Sequence, residues 1–157
     1  MRRVLAILLV VLALLTGCSR GSGTTSYTNE KHGYTVDYPA RWQVNQAKIV
    51  PLPPDGTIFQ GDNVSFDITV WGSPSNESEQ ASLRKDGWME EEITVAGEKA
   101  KSFTRPGADR AHGVWRRVYF QHKGFAFQMS LNVYDEKQAE GAHKVFGDFV
   151  QSMRWAD

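Results

Sequence analysis

Apolar and polar residues alternate over several short stretches of the chain, the pattern of strands with one buried face. The first stretch runs from Tyr34 to Pro39 and ends there, because proline has no amide hydrogen for strand pairing. The clearest spans Val64–Val70 and is followed by a turn at Gly72–Pro74. Further strands are predicted at Trp42–Gln46, Glu92–Val95, Lys99–Arg105, Gly113–Gln121 and Phe125–Val133.

Two segments have the residue spacing of helices. Between Asn76 and Asp86 the chain is polar apart from Ala81 and Leu83, with Ser75 or Asn76 as the cap and Gly87 as the stop. The second segment, Asp135 to Met153, has one apolar stripe opposite a charged face. The stripe consists of Ala139, Ala142, Val145, Phe146, Phe149, Val150 and Met153. Such a stripe predicts that this helix packs on the sheet.

These elements predict a single α+β domain, an antiparallel β-sheet packed with helices. The turns between the strands are short, and Pro51–Gly56 and Pro106–Asp109 are expected to be a loop and a turn. A chain of 157 residues with eight Phe, five Tyr and five Trp has enough apolar surface for one core. We expect the folded domain to cover residues 27–157, after a small, polar, flexible tether at residues 18–26.

The first residues of the chain have the pattern of a short export signal. Arg2 and Arg3 precede an unbroken apolar run from Val4 to Leu15. As a helix this run would be about 18 Å long, too short for a hydrocarbon core of about 30 Å. Residues 1–17 are therefore predicted to be a signal peptide rather than a permanent transmembrane helix.

The sequence Leu15-Thr16-Gly17-Cys18 resembles the lipobox of bacterial lipoproteins. The resemblance implies that Cys18 receives a diacylglyceryl group, becomes the first mature residue and carries palmitate-type chains into a membrane. Anchoring of this kind takes two or more acyl chains, which one multiply acylated cysteine supplies. Ser19, rather than Asp, favours the periplasmic face of the outer membrane in a Gram-negative host. The alternative is an ordinary signal-peptide cut near Thr16 or Gly17 that leaves a free thiol near the new terminus.

A second resemblance covers most of residues 27–157. The run from Gly33 to Trp42 (Gly-Tyr-Thr-Val-Asp-Tyr-Pro-Ala-Arg-Trp) is similar to the opening of the PsbP-like group, which includes DcrB-type lipoproteins. A long strand followed by a helix that closes on Phe146, Phe149 and Met153 is similar to that group's last elements. The resemblance implies an α/β/α sandwich and mostly non-catalytic binding functions, and it implies no catalytic residues.

Charge and motifs exclude several function classes. With 18 basic and 18 acidic side chains the chain has no excess of positive charge, so nucleic acid is not expected as a partner. A single cysteine makes neither an internal disulfide nor a thiolate zinc site. His32, His112, His122 and His143 lack the spacing of a helical metal pair, and His122 is expected to be exposed in a turn. No nucleophile elbow, phosphate loop or dinucleotide fingerprint is present, so no cofactor and no metal are predicted.

One strand carries a candidate binding surface. Simple alternation places Trp115, Arg117 and Tyr119 on the face opposite Val118, where aromatic rings beside a guanidinium suit recognition of proteins or sugars. The alternative is that helices or a loop cover this face and make it part of a second core. Three further cations lie on a neighbouring predicted strand, namely Lys99, Lys101 and Arg105. They either form a basic patch with Arg117 or belong to a solvated face of the sheet. Glu90–Glu92 is expected to be a solvated run of charges before a strand.

These observations together predict a lipid-anchored cell-envelope protein that contacts the membrane through Cys18. Its domain is expected to bind a protein or an envelope component without catalysis. The alternative is an envelope hydrolase or a metal-binding accessory protein, with a site assembled from distant parts of the chain. That alternative requires histidine and carboxylate side chains to converge in one pocket.

Overall fold

The computed structural model describes residues 23–48, 55–72, 76–105 and 113–156, which form ten strands, two α-helices and one 3-10 turn. The strands are β1 Thr24–Asn29, β2 Tyr34–Pro39, β3 Gln43–Lys48, β4 Asp55–Gln60, β5 Val64–Trp71, β6 Met89–Val95, β7 Glu98–Thr104, β8 Gly113–His122, β9 Phe125–Val133 and β10 Arg154–Trp155. The helices are α1 Glu77–Lys85 and α2 Ala139–Gln151, with the 3-10 turn Glu136–Gln138 just before α2.

The strands form two antiparallel sheets. The large sheet has the order β3-β4-β5-β9-β8-β7-β6, and the small sheet has the order β1-β2-β10. In the large sheet, β5 pairs with β9 from Val64↔Val133 to Trp71↔Ala126, and β9 pairs with β8 through a tight hairpin. This mixed architecture confirms the predicted α+β class with an antiparallel sheet.

The main core lies between one face of the large sheet, here named the core face, and a layer made of α2 and the small sheet. Phe66 on β5 is fully buried, and its ring lies 5.2 Å from Phe146 and 5.0 Å from Phe149 on α2. Tyr34 on β2 is buried too, and its ring lies 6.1 Å from Phe127 on β9. The alternation seen in the sequence therefore supplies one apolar face per strand to a single aromatic core.

The opposite face of the large sheet, here named the outer face, carries a second and smaller core beneath α1. Leu83 is the buried residue of this helix, and it packs with Phe103 on β7 and Tyr119 on β8, while Trp88 lies partly buried beside them. Helices thus cover both faces of the sheet, which makes the fold an α/β/α sandwich.

The loop predicted at Pro51–Gly56 is wrong at its last two residues, which belong to β4. Asp55 and Gly56 begin β4 and pair with Val70 and Thr69 of β5, whereas residues 51–54 and the predicted turn at 106–109 lie outside the described residues. Within β4, Thr57 and Phe59 are buried. The strand was missed because the glycine and the acid at its start have low strand propensity, which the pairing with β5 outweighs.

The tether predicted at residues 18–26 overlaps β1 at its C-terminal end, so this part of the prediction is wrong. It begins at Thr24, so residues 24–26 are paired with β2 instead of being part of a flexible segment. Ser26 donates to Asp37 at 2.6 Å, and the hydroxyls of Thr28 and Thr35 are 3.0 Å apart. Cross-strand polar contacts hold this strand in the sheet, although its sequence has little apolar alternation. The signal segment and Cys18 lie outside the described residues.

The strands also extend further than the pattern predicted. β6 begins at Met89 instead of Glu92, and its first four residues, Met89 and three glutamates, are exposed. Backbone pairing along the whole of β7, from Met89↔Thr104 to Val95↔Glu98, keeps these residues in the sheet. The helix predicted at Asn76–Asp86 is confirmed as α1, although the Asn76 side chain makes no cap hydrogen bond.

A methyl group added at either of two glycines is expected to change the free energy of unfolding in opposite directions. A Cβ on Gly61 would lie 2.6 Å from Trp42 Nε1 and 2.8 Å from Trp42 Cζ2, so the indole must move from its place 4.6 Å from the Phe66 ring. A Cβ on Gly147 of α2 would meet nothing within 4 Å. We expect Gly61→Ala to lower the free energy of unfolding by about 1–3 kcal/mol. Gly147→Ala should raise it by about 0.5–1 kcal/mol, because alanine favours the helix.

Urea unfolding followed by tryptophan fluorescence measures both changes, and the shift of the native emission spectrum in Gly61→Ala reports the displaced indole. A Gly61→Ala protein with unchanged stability and an unchanged spectrum would contradict the packing of Trp42 described above.

Candidate functional site

The predicted surface on β8 is divided between the two faces of the sheet. The pairing with β9 shifts its register between Val114 and Arg116, which is a β-bulge. Trp115 consequently joins Val118 in the main core, with its ring 6.1 Å from that of His143 on α2, whereas Tyr119 belongs to the core under α1. The expectation that Trp115, Arg117 and Tyr119 share one face is therefore wrong, because the extra residue of the bulge reverses the alternation at Trp115.

Arg117 and Tyr119 attach α1 to the outer face. The Arg117 guanidinium pairs with Glu79 of α1 and lies 6.0 Å from the centre of the Trp88 ring. It also donates to the Tyr119 hydroxyl at 3.4 Å. Burial raises the pKa of Tyr119 to about 12, so its hydroxyl stays protonated at neutral pH. These contacts make Tyr119 part of a covered second core, which is the alternative that the sequence left open for this face.

An open groove of about 800 Å³ remains between α1 and the outer face beside this second core, and we name it the α1 groove. The helix contributes small and polar side chains to one wall, and the sheet contributes lysines and the turn between β6 and β7 to the other. The lining includes Asn76, Glu77, Gln80, Ala81, Arg84, Glu98, Lys99, Lys101 and Gln121. Its volume is in the range of ligand and peptide sites in proteins, and its wall is rich in donors and acceptors of hydrogen bonds.

Glu90 on β6 forms ion pairs with two of the three described cations that line this groove, Arg84 and Lys101. Its carboxylate accepts from Arg84 Nε at 2.5 Å and from Arg84 Nη2 at 3.1 Å, and Lys101 Nζ lies 3.2 Å away. Arg84, assisted by Lys101, lowers the pKa of Glu90 to about 2. Glu90, Glu91 and Glu92 are all exposed, as predicted, and Glu90 is in addition an ion-pair partner of α1.

The predicted basic patch of Lys99, Lys101, Arg105 and Arg117 does not form one continuous surface, because glutamates pair with two of these cations. Lys101 is paired with Glu90, and Arg117 is paired with Glu79. Arg105 does not line the groove, and its guanidinium lies near Gly113. Lys99 lines the groove and, among the described residues, has no ion-pair partner. The groove is therefore a charge-balanced polar surface with one unpaired ammonium, suited to many weak polar contacts rather than to a polyanion.

The histidines that the structure describes lie in three separate places. His32 Nε2 is 2.9 Å from Asp55, whose pKa Lys31 and His32 lower. His122 Nδ1 is 2.8 Å from Glu98, and its ring stacks on Trp155 with the ring centres 3.5 Å apart. This stacking corrects the expectation that His122 is exposed, since its side chain is 14% exposed.

His143 packs against Trp115, and burial lowers its pKa, with a further contribution from Arg116. In the described part of the chain, no three histidine, cysteine, aspartate or glutamate side chains are placed to hold a metal ion. His112, also a potential ligand, lies outside that part.

A polar cluster on the outer face was missed by sequence reasoning. Asn132 on β9 donates to Asp67 on β5 at 2.6 Å and to Ser65 at 3.2 Å. Burial raises the pKa of Asp67, and its second carboxylate oxygen is buried without a hydrogen-bond partner. The alternation had assigned Ser65 and Asp67 to a solvated face, and no local signal distinguishes a solvated polar position from a covered one. The cluster lies outside the lining of the α1 groove.

Glu90→Gln should weaken the attachment of α1, and the effect should depend on pH. The pKa of Glu90 in the folded protein, about 2, is below its unfolded value of about 4.3, so the stabilisation is complete above that unfolded value. It is lost as the pH falls towards 2. We expect Glu90→Gln to lower the melting temperature by a few degrees at pH 7 and by much less near pH 2, where about half of the Glu90 carboxylates are protonated in the folded protein.

Calorimetry at several pH values checks this expectation. Glu91→Gln, one residue further along the same strand, is the matched control and should leave the melting temperature unchanged. An effect of Glu90→Gln that is equally large at pH 7 and pH 2 would show that the ion pairs with Arg84 and Lys101 do not stabilise the protein.

Comparison with known proteins gives the fold. The sequence matches no protein-family model, and a search of curated proteins likewise gives no match. Among solved structures, the solution structure of cyanobacterial PsbP (CyanoP) from Synechocystis sp. PCC 6803 is similar, with a TM-score of 0.61 and 14% identity over 90% of this chain and 99% of that one.

A second similar structure is a 1.50 Å crystal structure from Bacteroides thetaiotaomicron VPI-5482. Its TM-score is 0.45 and its identity 11%, over 87% of this chain and 49% of that one. Neither described helix is both long and apolar enough to cross a bilayer. With the topology above, the likeness to CyanoP shows that the described domain has a PsbP-like fold.

Proposed function

We propose that the chain is a lipid-anchored protein of the bacterial cell envelope, and that its PsbP-like domain binds a partner without catalysing a reaction. The observation that carries the proposal is Leu15-Thr16-Gly17-Cys18 directly after a basic start and an apolar run. Acylation of Cys18 would place the domain beside a membrane outside the cytosol, only a few residues from β1. Ser19 favours the outer membrane, on its periplasmic face, in a host that has one.

The α1 groove is the surface that best fits a binding role. It is open, about 800 Å³ in volume, and lined by polar side chains of α1, β7 and β8. Its rigid wall is the sheet, where Lys99 and Lys101 lie on β7, and its other wall is α1, which brings Gln80 and Ala81. A groove of this kind suits a peptide segment or an envelope component that offers hydrogen bonds along its length.

The arrangement of titratable groups supports binding over hydrolysis. His32 and His122 each face one carboxylate and lie among aromatic rings, Phe125 for His32 and Trp155 for His122. Neither lines the α1 groove. A hydrolase requires a nucleophile, a base and an oxyanion site within reach of one another, and the described residues of the groove do not include a histidine.

Removal of the acylated sulfur tests the anchor. We expect Cys18→Ala to move the protein from the membrane fraction to the soluble fraction, because no acyl chain then reaches the bilayer. Ser19→Asp, which keeps the cysteine, is the matched control and should stay membrane-bound, moving to the inner membrane in a Gram-negative host. Mass spectrometry of the mature amino terminus gives the direct readout. A wild-type terminus without fatty chains, or a Cys18→Ala protein still bound to membranes, would contradict the proposal.

Site-specific photocrosslinking in intact cells tests the groove. A photoreactive amino acid at Gln80 should give one discrete adduct, whereas the same amino acid at the exposed Glu92 on β6 should not. Ala81→Arg, which adds a long charged side chain to the lining, should reduce the Gln80 adduct at least fivefold. Equal adducts from both positions, or an adduct that Ala81→Arg leaves unchanged, would exclude the groove as the binding surface.

A further inference from the structure

We propose that a second groove, between α2 and the ends of β1 and β2, is the side of the domain that faces the membrane and contacts the lipid headgroups. This inference rests on the proposed function, because it requires an acylated Cys18. The groove, here named the α2 groove, has a volume of about 590 Å³. Its lining includes Gly23, Thr24, Tyr38, Arg41, Val145 and Asp148.

The position of Gly23 limits how the domain can be oriented. The chain from Cys18 to Gly23 spans at most about 18 Å even when fully extended. Gly23 is held at the end of the small sheet, where its carbonyl accepts from the Ala40 amide at 2.9 Å. Arg41, on the same groove, lies just before β3, which is an edge strand of the large sheet. The attachment point is therefore at the β3 edge.

The opposite edge of the large sheet is too far from this point to reach the bilayer. Six strand spacings of about 4.8 Å separate β3 from β6, a distance of about 29 Å. If the β6 edge faced the membrane, Gly23 would have to lie farther from the lipid than the segment from Cys18 can span. The short segment therefore keeps the β3 edge and the α2 groove near the bilayer.

The chemistry of the α2 groove suits a headgroup region. Val145 is 37% exposed although it belongs to the apolar stripe of α2, so the stripe extends past the core into the groove. Arg41 is exposed, and it has no ion-pair partner among the described residues. Asp37 is occupied by Arg154 at 3.1 Å and by Ser26 at 2.6 Å, so the remaining charged side chains of the lining are Arg41 and Asp148. An exposed apolar side chain beside an unpaired guanidinium fits the headgroup region of a membrane.

This orientation also separates the two grooves. The α2 groove lies on the core-face side of the large sheet, and the α1 groove lies on the outer face. With the α2 groove against the lipid, the α1 groove points away from the membrane and stays open to a partner.

Depth-dependent quenching tests the orientation on the full-length lipoprotein. Val145→Cys and Met89→Cys are each purified from membranes, labelled with an environment-sensitive fluorophore and reconstituted into vesicles of phosphatidylethanolamine and phosphatidylglycerol. In each variant the introduced cysteine is the one free thiol, because acylation occupies Cys18. Met89 is the matched control, since it is an exposed apolar residue, 58% exposed, on the β6 edge.

We expect lipids with a nitroxide headgroup to quench the label at 145 at least threefold more strongly than the label at 89. Equal quenching, or stronger quenching at 89, on protein that floats with the vesicles would overturn the orientation and leave the lipid anchor intact. Protein that carries no acyl chain and does not float with the vesicles would overturn both the anchor and the orientation.

Discussion

The structure depends on the burial of one aromatic cluster between the large sheet and α2. Phe66 lies at its centre, in ring contact with Trp42, Phe146 and Phe149. Because these rings come from β5, from the segment before β3 and from the last helix, their burial brings distant parts of the chain together. It also sets the end of α2, where Ser152 accepts from the Asp37 amide at 2.8 Å and β10 then joins the small sheet. Both the small sheet and the α2 groove take their positions from this packing.

The outer face is held in a different way. α1 has a single buried residue, Leu83, so apolar contact alone fixes it weakly. Charged contacts supplement it, namely Glu79 with Arg117 and Arg84 with Glu90. Glu79 and Leu83 lie one helical turn apart and face the sheet, whereas Gln80 and Arg84 line the α1 groove beside them. α1 is therefore held by fewer buried apolar side chains than α2, and the open groove lies along the part of α1 that has none.

Sequence reasoning succeeded where one face of an element is apolar over its whole length. β2, β5, β9 and α2 were predicted with nearly the bounds they have, because each contributes a continuous row of side chains to the main core. It failed where pairing with neighbours outweighs local preference. β1 has polar contacts instead of an apolar row, and β4 begins with Asp55 and Gly56. For the candidate surface, the residue types were identified, but the bulge at Trp115 separated them.

By itself the sequence determined the alternation of the main strands, the amphipathic stripe of α2, and the lipobox-like segment from which the anchor at Cys18 is inferred. These features are local, since periodicity and short motifs depend only on neighbouring residues. Only the tertiary structure decided that Tyr119 is covered, that Glu90 is an ion-pair partner, and that Arg41 and Val145 line one groove. Each of these outcomes depends on a partner from elsewhere in the chain, and no local pattern records which strand or helix that partner comes from.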